Sequence, residues 1–113
     1  MAGAEFVVIQ FERDEHLIPV GVLLLEPTTD RLRLRYRQDW ASIADPEDAE
    51  VLRDQFAQLD ADILERSGRK ILTLLEDVLS NALRISELHT ISIEGSVDDT
   101  LRRLYAKYLL DDL

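Results

Sequence analysis

Cysteine is absent from the chain, which removes disulfides, thiolate nucleophiles and every cysteine-based metal site. Glycine occurs only at Gly3, Gly21, Gly68 and Gly95. Four scattered positions build neither a phosphate-cradling loop nor a dinucleotide fingerprint, and no serine sits in a Gly-x-Ser-x-Gly elbow. Long apolar runs are missing too. The longest, Ile18 to Leu25, falls far short of the roughly 20 residues that cross a bilayer, so no membrane span is expected. The first residues lack the basic start and apolar stretch of a secretory signal, and a cytoplasmic location is the expectation.

Positive charge is scarce as well. Thirteen basic residues face 23 acidic ones, a formal net charge of −10 among 113 residues. Residues 1–40 carry net −2 and residues 41–113 net −8, so the second part repels phosphate backbones. Nucleic-acid affinity draws largely on cationic contacts that release counterions, and nucleic acid is therefore an unexpected partner. The length and the 46% hydrophobic content fit one folded domain over residues 1–113.

Against that acidic background one segment stands out. Residues 31–37 read Arg-Leu-Arg-Leu-Arg-Tyr-Arg. In a strand, Arg31, Arg33, Arg35 and Arg37 line one face and Leu32, Leu34 and Tyr36 the other. Two readings follow. In the first the arginines form a solvated face, paired with acids such as Glu12 or Glu26, where each exposed pair contributes about 0 to 1 kcal/mol and the charges discourage edge association. In the second they form a docking face for an acidic protein or a phosphate group, which the planar guanidinium fork suits better than lysine. Trp40, just beyond the ribbon, reads as a lid over the core edge and, in the second reading, as a partner anchor.

The elements around the ribbon are legible from their periods. Residues 5–12 form an apolar, β-branched first strand. Residues 17–25 form the second, where Pro19 marks a strand start or a bulge and regular pairing is expected from Val20. Pro27, Thr28, Thr29 and Asp30 supply turn chemistry before the arginine strand. Asp45 followed by Pro46 is an N-cap and first helical residue, and Leu52, Phe56, Leu59 and Ile63 give a helix over 46–66 one apolar face. A second helix is expected over 69–83 around Ile71, Leu72, Leu74, Leu75, Val78 and Leu79. A fourth strand follows over 89–94. Ser96 then caps a last helix, in which Asp98 and Asp99 precede Arg102 and Arg103 by four residues. The expected architecture is α+β, order βββααβα, with helices packed on one face of a mainly antiparallel sheet.

Several of these pieces together resemble a family of small bacterial proteins of unknown function, DUF3037. They are Phe6-Val7-Val8-Ile9, Val20-Gly21-Val22-Leu23-Leu24, His89-Thr90, and Asp98-Asp99-Thr100-Leu101-Arg102-Arg103-Leu104-Tyr105. The resemblance carries no activity onto these residues. Some members lie beside genes for HipA-like kinases, so it implies a toxin or kinase as partner.

Residues able to carry chemistry are few. His16 and His89 could serve as an acid–base pair flanking a phosphate held by Arg33 and Arg35, provided strands one, two and four share a sheet. The acids Asp45, Glu47, Asp48 and Glu50 sit at a helix start, where negative charge is favoured, without the loop spacing of a calcium hand; Asp60 and Asp62 point to different helix faces. No catalytic residue, metal ligand or cofactor is therefore assigned. The expectation is a non-enzymatic, acidic interaction or regulatory protein, docking through Arg31, Arg33, Arg35, Arg37 and Trp40 or masking a basic partner with its acidic helices. The alternative is a nucleic-acid-processing enzyme or phosphate-ligand binder using the arginine face and a histidine. Self-association is a third role for the same surface.

Overall fold

The computed structural model describes residues 3–26, 28–65, 68, 70–72, 75 and 83–110. Three long antiparallel strands run in a meander: β1 (Gly3–Arg13), β2 (His16–Glu26) and β3 (Arg31–Tyr36). The β1–β2 hairpin closes through Asp14 and Glu15, both at positive φ, the backbone that matches a two-residue turn to the strand twist. A short helix α1 (Trp40–Ile43) leads into α2 (Pro46–Glu65). Helical Gly68, Lys70, Ile71, Leu72 and Leu75 follow. Strands β4 (Leu83–Ile85) and β5 (His89–Ser92), helix α3 (Val97–Tyr105) and a π-helical turn Ala106–Leu110 complete the order. The protein is thus α+β with a five-stranded antiparallel sheet.

Local chemistry explains the starts. Asp45 Oδ1 accepts the Asp48 N–H at 3.1 Å, and Ser96 Oγ accepts the Asp99 N–H at 3.0 Å, so both predicted caps occupy orphan donors of a first helical turn. Pro19 lies beside a β-bulge. The register passes from Ile9 opposite Gly21 to Gln10 opposite Pro19 and leaves Val20 without a partner. The extra residue reverses the side-chain parity of β2. Val20 therefore joins Leu23 and Leu25 on one face, while Val22 and Leu24 point to the other.

Helices cover both faces of the sheet, which corrects the expected one-sided arrangement. Val7, Ile9 and Phe11 of β1 pack with Leu52, Phe56 and Leu59 of α2 and with Ile71 and Leu75. Ala4, Phe6 and Val8 pack on the opposite side with Leu101 and Leu104 of α3 and with Leu109. The physical reason lies in β1 and β2 themselves: their apolar runs are nearly continuous, so one-sided cover would leave half of each run in water.

Two further boundaries differ from the sequence reading. Leu83 begins β4, where a helix over 69–83 had been expected; the helical part is described at Lys70, Ile71, Leu72 and Leu75 and the rest of that range, with Leu74, Val78 and Leu79, lies outside the described residues. Pro27 of the predicted turn also lies outside them. The far edge of β1 is shared by two short strands, β4 opposite Ile9–Phe11 and β5 opposite Gly3–Phe6. Ser86 bridges the gap between them. Its N–H donates to the Val8 carbonyl at 2.9 Å and its Oγ accepts the Val8 N–H at 2.8 Å.

Candidate functional site

Among the described residues β3 pairs only with β2 and forms one end of the sheet. Its leucine face supplies the core: Leu32 is buried and Leu34 and Tyr36 are partly buried against α2. The alternation then sends the arginines to the α3 side. That placement decides their partners. Arg33 reaches Asp98 in the first turn of α3 at 3.5 Å, and the Arg35 guanidinium lies 5.0 Å from the centroid of the Tyr105 ring on the last turn of the same helix, within cation–π range. Arg37 turns back and forks onto Asp39, its Nε and Nη2 each donating at 2.8 Å to one carboxylate oxygen.

The acids proposed from sequence are engaged elsewhere. Glu12 pairs with Arg84 at 3.1 Å, because β2 separates its strand from β3. Glu26 stands opposite Arg31 in register but accepts from the Thr29 hydroxyl at 3.0 Å. Among the described residues no carboxylate pairs with Arg31 or Arg35, and both are exposed. Arg33 is half satisfied: its Nε is buried without a partner.

Trp40 is a core residue. It is 2% exposed and stacks on Phe56 at 5.3 Å and on Tyr36 at 6.3 Å. The lid reading holds in a stronger form, and the ring offers no face to a partner; the opening turn of α1 carries it inward against α2. Around it the polar groups are ordered. Hydrogen bonding from Arg37, reinforced by the Ser42 hydroxyl, holds the Asp39 carboxyl well below the usual carboxylate range. Burial, and next the hydrogen bond to Asp60 at 2.9 Å, raise the Tyr36 phenol above its ordinary value and keep it a donor.

The two histidines do not meet. His16 faces Arg13 across the hairpin and His89 faces Phe6, seven positions apart along β1, which at the strand rise is roughly 23 Å. His89 instead stacks on Phe6 with centroids 5.2 Å apart. The acids at the start of α2 act as cap and dipole partners, and no group of three or more metal-capable side chains occurs among the described residues. No described helix is long and apolar enough to cross a membrane.

Two grooves flank these features. One, of about 550 Å³, runs between β3 and the last turns of α2 and is lined by Arg31, Arg33, Leu34, Asp60, Ile63, Leu64 and Glu65, among others. The other, of about 460 Å³, lies between β5 and α3 beside Phe6, His89, Arg103, Lys107 and Tyr108; there Arg103 is already paired with Glu94 at 3.5 Å. Sequence reasoning identified the ribbon but missed Asp98 and Tyr105 as its partners. Both lie over 60 positions away, and their helix had been read from its internal Asp-to-Arg spacing, whereas Asp99 pairs with Arg102 at i,i+3 and Asp98 crosses to β3.

No family model, curated protein or solved structure matches this chain.

Proposed function

We propose that this protein is a non-enzymatic interaction or regulatory protein whose contact surface is the arginine side of β3. One observation carries the reading. Arg31 and Arg35 stand exposed on a terminal strand with no carboxylate paired to either among the described residues, in a chain of net charge −10. Two cations without a paired carboxylate on one strand of an acidic protein orient acidic partners, because complementary potentials raise encounter rates and suppress wrong ones. The separated histidines and the capped, dipole-bound acids argue against acid–base or metal chemistry as the role of this fold. The resemblance of the strands and last helix to DUF3037 proteins points to a toxin or kinase as the kind of partner.

The test uses Arg31→Glu with Arg35→Glu. Arg33 is left intact because reversing it would set two carboxylates together at Asp98. A partner recovered with the native chain from its host should bind the purified double variant at least about tenfold more weakly, and the native complex should weaken as salt is raised. Equal affinity of native and variant chains would remove the ribbon from the contact surface.

A further inference from the structure

We infer that the outer edge of β3 takes an extended segment of a partner protein as an added strand, with carboxylates on its arginine side and apolar residues on its α2 side. The inference rests on the proposed docking role of the ribbon and names the chemistry of the partner.

Among the described residues the edge is unpaired over a defined stretch. In an antiparallel pair, hydrogen-bonded and non-hydrogen-bonded residue pairs alternate. Arg37 donates its N–H to the Val20 carbonyl at 2.9 Å, and the register sets Arg35 opposite Val22 and Arg33 opposite Leu24. The arginine backbone groups therefore face β2, and the N–H and C=O of Leu34 and Tyr36 face outward. No described residue bonds to those four groups. Toward the start of the strand the edge is closed. Gly68 donates its N–H to the Asp30 carbonyl at 2.8 Å, and a Cβ there would stand 2.8 Å from that oxygen and 3.1 Å from Leu32 N.

The side chains on either face of this open stretch define the occupant. A strand laid beside Leu34 and Tyr36 alternates its side chains between the two faces of the sheet. On one face it meets Arg33 and Arg35. On the other it enters the groove of about 550 Å³ beside Leu34, Ile63 and Leu64. Leu64 is 87% exposed, an apolar side chain that such a strand would cover. Asp60 and Glu65 border the same groove on its α2 side, with Arg31 and Arg33 on its β3 side, so carboxylates of the added strand suit the arginines and its apolar residues suit Leu34, Ile63 and Leu64. A second copy is a poor occupant, since antiparallel β3-to-β3 pairing sets arginines against arginines on one face, where like charges oppose association. Nucleic acid is also a poor occupant, because Asp30, Asp60 and Glu65 outnumber Arg31 and Arg33 along the groove in a chain of net charge −10.

The experiment follows fluorescence anisotropy of a labelled synthetic peptide of alternating valine and glutamate, about eight residues long to match a strand, added to the full chain. Amide exchange is measured in parallel. Binding at micromolar to millimolar concentration is expected. The Leu34 and Tyr36 amide protons should become protected, and N-methylating the peptide on its pairing edge should weaken binding about tenfold, the loss of one or two net hydrogen bonds. Leu34→Pro should act likewise, since proline is tolerated where a strand N–H faces solvent; the N-methyl arm decides if that variant fails to fold. Binding that survives N-methylation but falls in Arg35→Glu overturns edge pairing and leaves ribbon docking standing. Binding indifferent to Arg35→Glu overturns the docking reading itself. Absence of binding, preference for an oligonucleotide, or sedimentation showing a dimer that Leu34→Pro abolishes would each overturn the inference.

Discussion

Arg33 and Asp98 stand 3.5 Å apart, joining the terminal strand β3 to the first turn of α3 across 65 positions of sequence. The contact is half exposed, with 42% of the Arg33 and 71% of the Asp98 side chain accessible, so it orients the strand and helix more than it stabilises them. Arg33→Ala should cost about 0 to 1 kcal/mol. Asp98 also complements the α3 dipole, so a double-mutant cycle in urea isolates the pair, with a coupling expected under about 1 kcal/mol. Leu75→Ala, at a position with 0% exposure, should cost about 2 to 5 kcal/mol. Equal losses at the two sites would show the arginine to be a buried, paired charge.

Ser86 should matter more than its exposed neighbours. Ser86→Ala leaves the Val8 N–H, on a residue 3% exposed, without its acceptor at the break between β4 and β5. The expected cost is about 1 to 3 kcal/mol, against less than about 0.5 kcal/mol for Ser92→Ala on an exposed position. Amide exchange at Val8 should accelerate in the first variant alone.

Trp40 provides a spectroscopic check. Its burial against Phe56 predicts blue-shifted emission and poor quenching by acrylamide in the folded state, both reversed on unfolding. Phe56→Ala should cost about 3 to 5 kcal/mol and shift the native emission to the red. Free quenching of the native protein would return Trp40 to the surface as a partner anchor.

Asp39 sets a pH dependence of known sign. Its carboxyl titrates lower in the fold than in the unfolded chain, whose value is about 3.9. The stabilisation it supplies is therefore present in full above that value and is lost as pH falls toward the folded value. Asp39→Asn should lower the urea midpoint at neutral pH, and the gap between variant and native protein should narrow below about pH 4. Because 53% of the side chain is accessible, water screens the effect and the gap is small. A gap that widens in acid would contradict the Arg37 fork.

Reading the chain located most of its elements because local rules specify them. Asp45-Pro46 and Ser96 announce helices through groups that only a first turn leaves unpaired; Pro19 marks either a strand start or a bulge, and the bulge falls one residue on, at Val20, where regular pairing had been expected to begin. The ribbon was legible because a strand's period of two is written directly into Arg-Leu-Arg-Leu-Arg-Tyr-Arg. β4 was not, since three residues are too few to establish a period and Leu83 continues the apolar pattern of the preceding segment. Ser86 carried no signal, because a bridging hydroxyl needs a break on one strand to meet an intact neighbour.

Sequence alone determined the strand of arginines, its leucine face, the caps, the acidic balance and the absence of cysteine chemistry, all consequences of residues near one another in the chain. Which face each helix covers, that Asp98 and Tyr105 meet Arg33 and Arg35, that Trp40 turns inward and that the histidines stay roughly 23 Å apart along β1 were decided by tertiary structure. Those outcomes depend on strand order, on the parity change at Val20 and on burying both faces of β1 and β2. Each couples residues far apart in sequence through solvent exclusion, and a local pattern contains no record of what will pack against it.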